Sequence, residues 1–327
     1  MKRQAVFAMP AGMLVAIALL CSCSRGPSVS GNFDRSFAVT GPIRLELSNA
    51  AGDVQITGSA DGKVHVHADV RSSGMGFAHA QKRLDEIIAN TPVEQRGDTI
   101  RIGKDMARAR NLSISYTVEV PHNTEVNTTV VSGSQSIRGV RGPVKAQAVS
   151  GSIRVEHIDR EAQLNTVSGS LDATDVSDDV RGSSTSGAVS VTNAKGDVRI
   201  NARAGLIQVI QPGGRVDADT ASGSVNVQGA TSDVKARSAS GRIAVQGNPA
   251  SNAYWELKTA SGTVQLSVPT SANFQLSANA TSGDIRADVP IVIEEQGKHS
   301  LRAHVGNGGA RVEVHTVSGN IQITGSN

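Results

Sequence analysis

Aromatic side chains are nearly missing from this sequence: Phe, Trp and Tyr make up 2% of its 327 residues. Large irregular cores usually lean on aromatics, so the shortage argues for thin, repetitive packing of small residues. Cysteine is as scarce. Both copies, Cys21 and Cys23, stand near the N-terminus, so the body of the chain holds neither a disulfide framework nor a thiolate metal site. No His-Glu-x-x-His zinc motif occurs. Charged residues reach only 19% and the formal net charge is +3. Glycine is what the chain has in quantity, with 34 copies.

The two cysteines follow a leader pattern. Lys2 and Arg3 form a basic start, and Ala5 to Leu20 is an apolar run broken by Pro10 and Gly12. That run is short for a membrane span and reads as a secretory signal over residues 1–22. Its ending, "LCSC", resembles a bacterial lipobox, which implies cleavage before Cys23 and lipid on that cysteine. Ser24 in place of Asp implies, by resemblance to Gram-negative lipoproteins, the outer membrane. Without Lys2 and Arg3 the net charge falls to +1, so no basic balance is left to suggest nucleic acid. Residues 23–36 then read as a lipidated polar tether, and residues 37–327 as the folded body.

Ser-Gly corners recur through that body. Their glycines are Gly133, Gly151, Gly169, Gly187, Gly205, Gly223 and Gly241, every one 18 residues after the last. Gly262 and Gly283 follow at steps of 21, and Gly319 comes 36 later; Gly52 looks like an earlier member. A fixed period near 20 is the signature of a solenoid. Two residues after the glycine stand Ile153, Leu171, Val189, Ile207 and Val225; four after stand Val155, Val191, Val209 and Val227. Seven before it stand Val144, Val180, Val198 and Val216. Alternation on both sides of the corner marks two half-buried strands per unit. One unit cannot bury its apolar column alone, whereas stacked units continue each column through the pile.

The expected fold is therefore all-β: a single-chain parallel β-helix of about ten coils, 18–21 residues each, forming a rod on the order of 50 Å long. A specific expectation follows, that Gly169 lies over Gly151 and under Gly187. Two stretches break the repeat. Residues 76–90 place Phe77, Ala80, Leu84, Ile87 and Ile88 on one helical face, and "VEQRGDTIRIG" reads as a hairpin with a Gly-Asp turn. Residues 290–314 read as an irregular excursion or cap. The recurrent corner, "YTVEVP" before it, "SVPTSANFQLSANATSGDI" and the terminal "VHTVSGNIQI" together resemble a bacterial β-strand-repeat family of adhesin-like domains of unknown function, over roughly Gly41 to Asn327. The resemblance implies a β-solenoid on a cell-envelope protein, and no established biochemical activity.

Candidate chemistry is thin. Serine precedes most of the corner glycines, from Ser132 to Ser318, and nine equivalent serines cannot each own a base and an oxyanion hole. Their repetition is what a structural ladder of hydroxyls and positive-φ glycines predicts. His65 and His67 share a strand face, but no third ligand stands nearby, so no metal is expected. Asp172, Asp175, Asp178 and Asp179 form the densest acidic cluster, read as a solvated loop; a convergent acidic groove there would instead point to a polysaccharide-cleaving β-helix. "VGNGGAR" reads as a turn, since no Lys-Ser/Thr follows it. Trp255 reads as core where the coils lengthen, with an exposed ligand platform as the alternative.

The sequence thus predicts a non-catalytic cell-envelope lipoprotein without a cofactor. It would be held to the membrane by lipid and would offer its solenoid surface to an envelope protein or polysaccharide. A polysaccharide-binding or -cleaving β-helix and an envelope-stress sensing component are the alternatives.

Overall fold

The computed structural model describes residues 28–73, 76–103 and 111–326. The expected signal peptide and the expected lipid site Cys23 lie outside the described residues. Two long sheets, of 14 and 15 strands, run the length of the rod. In the regular part each coil gives one strand to each sheet, as Val144–Ser150 and Ile153–Ile158 do around Gly151. Coils pair in parallel and in register. Val144 faces Ala162, Ala146 faces Leu164 and Ser150 faces Ser168 in one sheet; Ile153 faces Leu171 in the other. Gly169 lies between Gly151 and Gly187, as the period requires.

Burial alternates along each strand. Val144, Ala146, Ile153, Val155 and Ile158 point inward and are almost fully buried, while Lys145 and Arg154 point out. Each fully buried Val, Ile or Leu stabilises the coil by about 1.5–3 kcal/mol, but only if the coils above and below complete the column. Small side chains dominate because the two sheets close on a narrow interior. At the first 21-residue step Trp255 fills the extra space. It is fully buried, and its Nε1 donates to the Ser232 carbonyl at 2.7 Å, so the ligand-platform alternative fails.

The ends do not stack in chain order. The coil around Gly52 (strands Ile43–Ala51 and Val54–Ser59) sits directly against Thr124–Ser132 and Gln135–Arg138. The intervening chain goes outward instead. Thr99–Ile102 and Leu112–Pro121 pair in parallel beyond that coil, and Lys63–Ser73 and Ser28–Ala38 add antiparallel strands beyond Leu112–Pro121. The far end repeats the device. Ala310–Ser318 inserts between Tyr254–Ser261 and Phe274–Ser282, so Gly319 lies between Gly262 and Gly283 although it follows both in the chain. The excursion at residues 290–314 supplies Val292–Gln296 and Ser300–Val305, antiparallel strands that cover Phe274–Ser282. Reversed strands close both ends of the larger sheet and the N-terminal end of the smaller one, replacing an open parallel edge on which coils of another copy could stack. The smaller sheet's other edge is the short parallel strand Ile285–Asp288.

Two expectations need correction. Residues 28–36 are not a tether: Ser28–Ala38 is an edge strand with Val29 and Phe33 buried, and the Phe33 ring meets Tyr116 edge-on at 6.5 Å. The stretch escaped notice because two buried side chains four residues apart make no alternating run. The helix forms at Phe77–Ala89, but Phe77 is 62% exposed. It is the first helical residue, about one turn before the buried Ala80 and two before the buried Leu84. The helix packs on the cap strands Ser28–Ala38 and Lys63–Ser73, where Gly31 lets Leu84 and Ile88 approach. The hairpin of Val93–Arg96 and Thr99–Ile102 turns at Gly97-Asp98 as expected. Among the described residues no helix is long and apolar enough to cross a membrane.

Candidate functional site

A coil has two sharp corners, and they are built differently. At the Ser-Gly corner the backbones of successive coils touch. A Cβ placed on Gly151, Gly169, Gly187 or Gly241 would lie 1.9–2.1 Å from the carbonyl oxygen of the glycine one coil before. Most of these glycines also hold a positive φ, +146° at Gly169. Gly223 does not, yet its added Cβ would meet the Gly205 oxygen at 1.9 Å, so close stacking alone demands glycine there. Buried hydroxyls three residues before the corner reinforce it: Thr166, Ser238, Thr259 and Thr316 donate to the glycine carbonyl of the neighbouring coil at 3.0–3.4 Å. On the other side Ser170 donates to Ser152 at 2.9 Å. The hydroxyl ladder expected of the corner serines is carried by these flanking positions.

The second corner lies six residues after each glycine. There His157, Asp175, Asn193 and Gln211 hold φ of +52° to +56°, in the left-handed region that side chains rarely adopt. In the coils on either side the same place is held by Gly139 and Gly229, also at positive φ. Space is not the constraint at this corner, since a Cβ on Gly229 would meet its nearest neighbour at 3.5 Å. The four side chains form a row. Asn193 Nδ2 donates to Asp175 Oδ1 at 2.9 Å, and His157 Nε2 stands 3.4 Å from Asp175 Oδ2. Beside the row runs a groove of about 540 Å³, bounded across by Asp159, Ser177, Lys195 and Gly213. Arg141 pairs with Asp159 at 3.7 Å. Among the described residues neither the Lys195 ammonium nor the Gln211 amide has a hydrogen-bond partner. Sequence reading keyed on shared residue types missed this row, because its members share only phase; their spacing of 18 was the available signal.

The acidic cluster does not converge. Asp172 faces outward and accepts from Arg154 at 3.2 Å, whereas Asp175 sits at the second corner. Asp178 accepts its neighbour's backbone N–H, and Asp179 accepts from the Asp197 N–H at 2.9 Å and from Arg181 at 3.0 Å. Each carboxylate has its own partner, and of the four only Asp175 lines the groove beside the second corner. His65 and His67 share a face as expected, but they bond Ser36 and Asp34, at 2.9 and 2.8 Å. The Asp34 hydrogen bond raises the His67 pKa above its usual 6.5. Among the described residues no group of three or more His, Cys, Asp or Glu side chains could hold a metal. The "VGNGGAR" segment is a turn, with Gly306, Gly308 and Gly309 at positive φ.

A charged patch marks the outer face of the larger sheet near its C-terminal end. Buried Glu256 accepts from Arg237 at 2.7 Å and from Lys258. Burial works to raise the Glu256 pKa, but these two hydrogen bonds prevail and hold it below the usual value. Tyr254 donates to Glu313 at 2.7 Å; burial, then that bond, push its phenol up to about 12. These contacts link side chains of three neighbouring coils.

Comparison with known proteins places the chain by family. A family model described as Toastrack DUF4097 matches residues 44–324. No curated protein matches. Two solved structures align over most of the chain. One is described as a candidate cell adhesion protein from Clostridium sporogenes; it is 9% identical, covers 91% of this chain and 100% of its own, and has a TM-score of 0.23. The other is described as a candidate adhesin from Bacteroides fragilis; it is 11% identical, covers 90% of this chain and 97% of its own, and has a TM-score of 0.36. Scores this low add nothing on function.

Proposed function

The chain belongs to the Toastrack DUF4097 family, and from that premise we propose that it is a non-catalytic envelope lipoprotein whose solenoid is a surface for contacts with other envelope components. Lipid on Cys23 supplies the membrane address, the outer membrane of a Gram-negative cell. The observation that carries the reading is the dispersal of polar groups. Polar side chains occupy the same places in successive coils along the rod but change in kind from one coil to the next, and the acids of the densest cluster each have a separate local partner. Catalysis needs a nucleophile or acid–base pair held with its orienting groups in one place. A repeated face offers extended, multivalent contact instead.

The test uses full-length protein in its native envelope. Crosslinking and capture of wild-type protein, compared with Cys23→Ala, should recover a defined envelope component only from the lipidated form. Wild-type protein should float with membranes and Cys23→Ala should not. Flotation of Cys23→Ala with membranes contradicts the lipid anchor, and turnover of an envelope polymer by purified protein contradicts the non-catalytic reading.

A further inference from the structure

We infer that the groove along the second corner, from His157 to Gln211, binds an extended glycan strand bearing acetamido groups. The inference rests on the reading of the protein as a non-catalytic binding rod and names one site on it.

The first argument comes from the backbone. Gly139 and Gly229 show that this corner accepts glycine, for which positive φ carries no steric penalty. Between them four successive coils place His, Asp, Asn and Gln in the same conformation. Asn and Asp tolerate the left-handed region; His is enriched there too, but Gln gains no such local relief. Strain retained at Gln211, where glycine would serve, points to a use for the side chain there. All four line one groove.

The second argument is chemical. The backbone N–H groups of Ser177, Lys195 and Gly213 are already donated to the carbonyls of the coil before, so a peptide cannot extend a sheet here. What remains is a row of side chains, most of which can both donate and accept, repeating at the coil step of about 4.8 Å. Hydroxyl and acetamido groups of a glycan also donate and accept. In an extended β-1,4-linked chain, where successive sugars are turned over, those on one side recur at about twice the coil step, so they meet every second coil. The Gln211 amide, without a partner among the described residues, matches an acetamido group. Lys195, also without a partner among them, offers a cation to a ring or substituent oxygen. Four coils span about 14 Å, enough for a short oligosaccharide.

Full-length protein in detergent is titrated calorimetrically with the β-1,4-linked tetramer of N-acetylglucosamine and with the monomer, and the tetramer is analysed afterwards by mass spectrometry. The tetramer should bind at least tenfold more tightly than the monomer and be recovered intact. The double variant Asn193→Gly/Gln211→Gly should bind the tetramer at least tenfold more weakly while its Tm stays unchanged or rises, because glycine suits the backbone. Failure of the wild-type protein to bind the tetramer, or unchanged binding by the double variant, overturns the groove and leaves the rod reading standing. A fall in Tm together with binding shows the row to be structural and overturns the groove too. Shortened tetramer contradicts the non-catalytic reading itself.

Discussion

At the Ser-Gly corner a Cβ on Gly169 would lie 2.1 Å from the Gly151 oxygen; at the second corner a Cβ on Gly229 would meet nothing closer than 3.5 Å. Both corners bend the chain through positive φ, +146° at Gly169 and +77° at Gly229. They differ in what surrounds the bend. At the first, backbone stacks on backbone and no side chain fits. At the second there is room, so the position can vary from coil to coil, and it does: Gly, His, Asp, Asn, Gln, Gly. The first corner sets the period of the rod, and the second is where one coil can be made chemically different from the next.

The comparison breaks most directly at Gly169. Gly169→Ala should lower stability by at least about 3 kcal/mol, from the clash and the strained φ together, measured by denaturant unfolding. Gly223→Ala meets a similar clash without the left-handed strain, so it should cost somewhat less; an equal loss would mean that strain contributes nothing.

A smaller effect is expected on the flat face between the corners. Glu256→Gln removes a buried carboxylate bonded to Arg237 and Lys258 and should cost about 2 kcal/mol at neutral pH. The folded pKa of Glu256 is depressed, so its contribution is present above the unfolded carboxylate pKa and is lost as pH falls through the folded value. The variant should therefore lose part of the wild-type decline in stability on acidification, which unfolding curves across that range will show.

The smallest effect lies at the N-terminal cap. His67 has a raised pKa, so the stability it gains from Asp34 is fully present below 6.5 and is lost as pH rises through the folded value. The pair is exposed, so the effect on stability is slight. An NMR titration of wild-type protein should place the His67 midpoint above 6.5, and Asp34→Asn should bring it down toward that value.

The period and the columns were legible because both are matters of spacing: glycine every 18 residues, Val or Ile two and four places after it. Steric demand at the Ser-Gly corner enforces one residue type, and one residue type is visible to the eye. The second corner obeys the same spacing but enforces only a backbone angle, which His157, Asp175, Asn193 and Gln211 satisfy with different letters. The coil order at the ends was hidden for another reason. Nothing in the letters around Gly319 says that Ala310–Ser318 pairs with Tyr254–Ser261 rather than only with its predecessor. That pairing joins segments far apart in the chain, as the contact between Tyr254 and Glu313, 59 residues apart, shows, and no local pattern of letters reports it. The cap strand Ser28–Ala38 was hidden because its long open edge needs few buried residues.

The most direct measurement sets the two corners side by side with one substitution. Unfolding free energies of Gly169→Asn and Gly229→Asn should differ widely: Gly229→Asn should stay within about 1 kcal/mol of wild type, since Asn tolerates positive φ and has room, while Gly169→Asn should lose at least about 3 kcal/mol. Equal losses at the two positions, large or small, would contradict the claim that one corner is fixed by stacking and the other is free to carry function.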